Sequence, residues 1–265
     1  MRKFIMILLF LGAINALHVL APVDKEVNEG DIIYIGEMGP GQTIEVLIDE
    51  KVMKGGKFGE GGIYDLAVVD RVPTDWKGIQ SKLYDHPLRV AITADPNAKE
   101  GEYLAKIKLI DEDNLEELGE KSFFVKIKIT YDVMDAKIEP TYVKTGPGQP
   151  AKFSITINNK GSTGDVFVIN AEGPKRWELK RSVFVPAKSS RTIIYEIVGE
   201  EEEIFKTEVK VRSAASPIIH AEKNITIDIH SDIFSDMKAT NNGVLIFPIF
   251  EGIVYSFFGL ISNLF

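Results

Sequence analysis

Four histidines, 39 acidic side chains and no cysteine set the limits of what this chain can do chemically. The missing thiols exclude disulfides, zinc–thiolate centres and cysteine nucleophiles together. His18, His86, His220 and His230 are scattered, and no two stand at the i, i+4 or zinc-finger spacing that brings imidazoles onto one metal. No serine sits in a Gly-x-Ser-x-Gly elbow. Carboxylates are so numerous that pairing alone singles none of them out. The chain therefore reads as non-enzymatic, with no catalytic, cofactor-binding or metal residues. Asp111-Glu112-Asp113-Asn114, followed by Glu116 and Glu117, could offer oxygens to calcium. That run lacks the glycine of a calcium-binding loop and reads as a solvated hairpin turn. Residues 54–62, KGGKFGEGG, have neither the Gly-x4-Gly-Lys-Ser/Thr pattern nor the helix of a phosphate cradle. They read as a mobile loop with Phe58 at its tip. With residues 78–87, GIQSKLYDHP, this loop is the expected place for a protein contact, through Lys57, Phe58, Tyr84 and His86. Trp76 and Trp177 could stack on a sugar. Their matching positions in a repeat favour the large core aromatic of a sandwich, which leaves carbohydrate binding possible but unsupported. Asn224-Ile225-Thr226 is a glycosylation sequon whose asparagine is expected to start a strand.

The elements that must hold these residues are strands, and they come twice. Gly39-Pro40-Gly41-Gln42 recurs as Gly146-Pro147-Gly148-Gln149, at an offset of 107 residues. Each is followed by an alternating run, Ile44, Val46 and Ile48 in the first copy and Phe153, Ile155 and Ile157 in the second. Pro73-Thr74-Asp75-Trp76 matches Pro174-Lys175-Arg176-Trp177 at the shorter offset of 101, so the first copy carries an insertion, which residues 54–62 supply. Period-two runs divided by turns continue through both copies, most plainly Phe123, Val125, Ile127 and Ile129. About seven short strands in about 100 residues, with no amphipathic run of helical length, predict an antiparallel sandwich for each copy.

Residues 138–229 resemble the Ig-like modules of archaeal S-layer-related and other prokaryotic cell-surface proteins, and are similar in pattern to the alpha-galactosidase-associated Ig-like domain. The resemblance is carried by the PGQ before a strand, Asn158-Asn159-Lys160-Gly161 as a turn, Gly173-Pro174-Lys175-Arg176-Trp177, and Val185-Pro186-Ala187-Lys188-Ser189-Ser190. The first copy shares it through PGQ, PTDW and DPNAKEGEYLAKIKLI. The resemblance implies β-sandwiches displayed outside the cell, in tandem and before a membrane anchor, with a structural or adhesive role and no catalytic residues.

Both ends of the chain fit that setting. Residues 1–16 have the secretory pattern of Arg2 and Lys3, an apolar run and small residues near Ala16, which is the expected cleavage point. Residues 244–265 carry one ionisable group, Glu251, and are long enough to cross a bilayer as a helix of roughly 20 residues. Gly252, Ser256, Gly259 and Asn263 line one face of that helix and would let a partner helix approach. The net charge of −8 and the lack of a basic patch argue against nucleic acid. The expected organisation is a signal peptide (1–16), Ig-like β-sandwiches at 17–135 and 136–232, a linker (233–243) and a transmembrane helix (244–265). In short, it is all-β, two tandem Ig-like antiparallel β-sandwiches plus N-terminal signal peptide and C-terminal transmembrane helix. The expected role is that of a single-pass surface protein with extracytoplasmic β-domains. The alternatives are an extracytoplasmic subunit of a membrane complex, recruited through its C-terminal helix, and a carbohydrate-binding accessory module.

Overall fold

The structure, a computed structural model, describes residues 16–172 and 178–231. The expected leader, Trp177 and the C-terminal segment with Gly252, Ser256, Gly259 and Asn263 lie outside the described residues. Among the described residues, no helix is long and apolar enough to cross a membrane.

Period-two alternation becomes strand throughout. The first copy supplies β1 (Leu17–Ala21), β2 (Lys25–Val27), β3 (Ile32–Met38), β4 (Thr43–Asp49), β5 (Lys51–Val52), β6 (Gly62–Ile63), β7 (Leu66–Arg71), β8 (Lys77–Ile79), β9 (Leu88–Thr93), β10 (Gly101–Ile110) and β11 (Lys121–Ile129). The second supplies β12 (Met134–Glu139), β13 (Tyr142–Thr145), β14 (Pro150–Asn159), β15 (Asp165–Glu172), β16 (Glu178–Val185), β17 (Ser189–Val198), β18 (Glu203–Ser213) and β19 (His220–Ile229). These described residues fall into two compact units. The first holds 16–133 with the short segments 160–165 and 215–219, and the second holds the remainder.

In the first unit one sheet runs β2-β1-β4-β9-β8 and the other β3-β11-β10-β7. Their inner faces meet in one core. On β11, Phe123, Val125, Ile127 and Ile129 are buried against Ile44, Val46 and Ile48 of β4 and Val90 and Ile92 of β9. The alternate residues of β11 face water, where Lys126 pairs with Glu102 at 3.1 Å and Lys128 with Glu37 at 3.0 Å. Such exposed pairs contribute about 0–1 kcal/mol each, so the apolar side carries the stability. Trp76 is buried in this core with its ring tilted against Tyr103, centroids 5.0 Å apart.

In the second unit the sheets run β12-β14-β17 and β13-β19-β18-β15-β16. Phe153, Ile155 and Ile157 of β14 are buried together with Ile193, Tyr195 and Ile197 of β17, Phe167 and Ile169 of β15, and Ile225, Ile227 and Ile229 of β19. In both units an early strand pairs with the strand after the PGQ turn. The chain then crosses to the other sheet and pairs with the last strand. This is the strand order of an immunoglobulin-type sandwich.

That crossing corrects the expectation of wholly antiparallel sheets. β3 runs parallel to β11, and β13 parallel to β19. Alternation in a sequence reports which face a side chain takes and is blind to strand direction. The repeated PGQ is the turn that leads back across. Gln42 N–H donates to the Gly39 carbonyl at 3.3 Å and Gln149 N–H to Gly146 at 3.1 Å. With proline second and Gly41 and Gly148 at φ +71° and +72° in third place, both are type II turns.

Three local expectations change. Asn158 and Asn159 finish β14 instead of forming a turn, and the fully buried Asn159 amide donates to the carbonyls of Val185 and Pro186, each at 3.1 Å. Asn224 lies in the middle of β19, opposite Glu208, because His220 to Lys223 extend the strand despite their polarity. The stretch from Gly78 begins inside β8.

Candidate functional site: the loop end of the first sandwich

The insertion that distinguishes the first copy is built as a small hairpin. β5 and β6 pair through Lys51 with Ile63 and Val52 with Gly62, and residues 54–61 form its head. The head is tight because glycine permits it. Gly61 has φ +91°, and a Cβ there would lie 1.9 Å from the Val52 carbonyl oxygen. Phe58, at the tip, is 83% exposed, as is Met53 at the hairpin's shoulder. Lys57 lies 5.9 Å from the Phe58 ring centroid and 3.9 Å from the Glu117 carboxylate.

Glu117 belongs to the acidic turn between β10 and β11, and this turn is knitted to the hairpin. The Lys57 N–H donates to the Glu116 carbonyl at 2.8 Å. Asp111 holds the turn in shape from below: its two carboxylate oxygens accept from the Leu115 and Leu118 amides at 3.1 and 3.2 Å. This run is more than the solvated turn its sequence suggests. The structure makes it the second wall of the insertion and raises Leu115, 72% exposed, on its crest.

Residues 80–87 join from the other side. Ser81 is buried and exchanges hydrogen bonds with Ala67 of β7. The Tyr84 N–H donates to the Asp65 carbonyl at 2.8 Å, while the Asp65 carboxylate accepts from the Glu112 amide at 3.0 Å. Tyr84 sits at φ +56°, half-exposed. Its phenol is held above its ordinary value by partial desolvation and then by the carboxylates of Asp65, Asp113 and Glu112. His86 bonds through Nδ1 to the buried Glu50 carboxylate at 2.9 Å.

Lys57, Phe58, Tyr84 and His86 are thus linked at one end of the sandwich through Asp65, Glu50 and the acidic turn. Sequence reasoning missed Met53 and Leu115. Strand order was the signal that could have found them, since in this fold the loops after the second, fourth and sixth core strands gather at one end. Chemically the end is an apolar crest within an acidic rim. The His86–Glu50 bond ties residues 80–87 to the start of the hairpin. No group of three metal-ligating side chains occurs among the described residues.

No protein-family model and no curated protein matches the sequence. Among solved structures, a chimeric titin Z1Z2 functionalised with a KLER peptide from decorin is similar over 83% of this chain and all of that one, with 9% identity and a TM-score of 0.35. The CARDB domain of a Pyrococcus furiosus protein in complex with di-metal ions aligns over 37% of this chain and 91% of that one, with 13% identity and a TM-score of 0.28. The PapD-like domain 7 of human CEP192 aligns over 37% and 84%, with 10% identity and a TM-score of 0.26. None of these likenesses reaches beyond the sandwich architecture that the strand order already defines.

Proposed function

We propose that this chain is a non-enzymatic, membrane-anchored cell-surface protein whose tandem Ig-like sandwiches serve a structural or adhesive role outside the cell. In this reading the loop end of the first sandwich holds a protein partner. The observation that carries it is the crest of Met53, Phe58 and Leu115, exposed at 83%, 83% and 72% on loops that hydrogen bonds fix in place. Apolar side chains held out in water by an ordered scaffold recover about 25 cal/mol per Å² when a partner covers them. The acidic rim fits a partner with basic groups around an apolar centre. The leader and the apolar C-terminal segment support export and anchoring.

The test is photo-crosslinking in intact membranes through a benzophenone placed at Phe58 of the full-length chain. A discrete protein adduct is expected, and the further changes Met53→Ser and Leu115→Ser should cut its yield at least tenfold while stability moves by no more than about 0.5 kcal/mol. An undiminished adduct would refute the crest as the contact. A full-length chain that fractionates as freely soluble would refute the anchoring.

A further inference from the structure

The first strand of each copy pairs on one side with the strand after the PGQ turn, β1 with β4 and β12 with β14. Their other sides differ. β2 covers β1, with Leu17, His18 and Val19 opposite Val27, Glu26 and Lys25. In the second copy the chain passes from β12 through Pro140 and Thr141 straight into β13, and β12 ends its sheet. Its bare edge lines a groove of about 960 Å³ whose lining also takes in Lys223 of β19.

The groups this edge presents can be read from the pairing. The Lys160 N–H donates to the Val133 carbonyl at 2.9 Å, and the Glu139 carbonyl accepts from the Ser154 hydroxyl at 3.0 Å. Antiparallel pairs alternate, so odd-numbered residues turn their backbone groups toward β14. Met134, Ala136 and Ile138 therefore turn their N–H and C=O groups outward. Their side chains face the core, while those of Asp135, Lys137 and Glu139 face solvent. Between Met134 and Glu139 the edge has no proline or bulge and, among the described residues, no covering strand; of the usual protections against strand addition it carries only charge, on Asp135, Lys137 and Glu139.

We infer that β12 pairs antiparallel with β12 of a second copy of this chain, about a two-fold axis at Ala136. That register places Met134 opposite the second copy's Ile138, and Ala136 opposite its counterpart. Each of these pairs exchanges two backbone hydrogen bonds, because the even-numbered residues carry the outward groups. On the solvent face it sets Asp135 against Lys137 of the second copy, and Lys137 against its Asp135. Neighbouring registers fail. An axis at Lys137 opposes lysine to lysine and Asp135 to Glu139, and one at Asp135 opposes two aspartates, like charges that disfavour pairing. Lys137 already pairs with Glu139 of its own strand at 2.7 Å, but both are largely exposed, so the contact yields readily to a cross-strand partner. An axis at Ile138 also sets Lys137 against Glu139, but it opposes Ala136 to Pro140, which has no N–H to donate, so the register centred on Ala136 is the one that keeps both the charge pairs and the backbone bonds.

The test uses the full-length chain in mild detergent, mixing light and heavy-isotope preparations before zero-length carbodiimide crosslinking. A mixed-isotope peptide joining Asp135 to Lys137 is expected, together with a dimer in sedimentation. Lys137→Asp should lower the dimer fraction at least tenfold, and the charge swap D135K/K137D should restore it, because the swapped strand is again complementary to itself. A dimer indifferent to Lys137→Asp, such as one held only by the small-residue face of residues 252–263, overturns the proposal. So does a monomer at about 0.1 mM. So does a monomeric chain whose groove instead takes up a synthetic peptide of alternating apolar residues.

Discussion

The two copies place the strand that follows their third core strand on opposite sheets. In the first, β8 crosses over and pairs with β9; in the second, β16 stays beside β15. The crossing in the first copy is built from identifiable parts. Trp76 N–H closes a turn onto the Pro73 carbonyl at 3.2 Å, Asp75 takes φ +66°, and the Trp76 ring is buried beneath the turn. Gly78 then lets β8 come against β7, where a Cβ would stand 2.7 Å from Val69. The residue at the matching position of the second copy is Leu179, half-buried in β16. Gly78 permits the close approach of β8 to β7, and the second copy has a full side chain at that position. The same comparison holds for the first strands, one edge covered by β2 and the other bare. Duplicated sandwiches thus diverge at their margins while the central strands keep their pairings.

The widest expected gap between the copies lies in their PGQ turns. Gly41→Ala combines a left-handed backbone with a Cβ 2.1 Å from the Ala215 carbonyl oxygen. It should cost roughly 3 kcal/mol or more in urea unfolding, of which about 1–2 kcal/mol is the left-handed backbone that Gly148→Ala shares. Equal losses would mean that the Gly41 contact is not a constraint.

A second, smaller effect is shared by the copies and follows from the burial of one tyrosine in each. Burial, with Glu29 and Asp111 nearby, pushes the Tyr64 phenol up to about 12, and burial does the same for Tyr195. A folded pKa raised above the unfolded value of 10.0 gives stability that is complete below about pH 10 and lost as pH rises toward about 12. At about 1.4 kcal/mol per unit each phenol should account for about 2–3 kcal/mol of alkaline destabilisation. The Tyr64 hydroxyl has no hydrogen-bond partner among the described residues, so Tyr64→Phe should flatten the alkaline limb and stabilise the fold at neutral pH by about 1 kcal/mol. A steeper limb in that variant would contradict the assignment.

The smallest effect sharpens the strand comparison directly. Gly78→Leu, which gives the first copy the second copy's residue, should cost about 1–3 kcal/mol by overpacking against Val69. Leu179→Gly should cost about 1–2 kcal/mol through lost burial and added chain entropy. Hydrogen exchange localised to β8 in the first variant would show that the crossing strand, and not the core, gives way.

Much of this architecture was legible because period-two alternation is dictated by one-sided burial. Phe123 to Ile129 and Phe153 to Ile157 could hardly be anything but half-buried strands. Strand direction was not legible, since β3 and β13 show the same alternation whichever way their partners run. The extension of β19 through His220 and Lys223 was hidden for a different reason. An edge-facing polar stretch reads as loop until its pairing with β18 is seen. Of the candidate site, the insertion and residues 80–87 stood out as unlike the repeat. The acidic turn did not, because its role is set by the Lys57 amide and the Asp65 carboxylate reaching it from loops distant in sequence.

The parallel pairing of β13 with β19 also governs how the second sandwich bears load. Beyond β12, the chain enters the larger sheet by β13 and leaves it by β19, and the two run in the same direction. A pull on both ends therefore drags them past each other lengthwise. Tyr142, Val143, Lys144 and Thr145, set against Thr226, Ile227, Asp228 and Ile229, must then let go together. Strands of opposite direction would open one rung at a time. A sandwich tethered at both ends resists traction with its whole ladder.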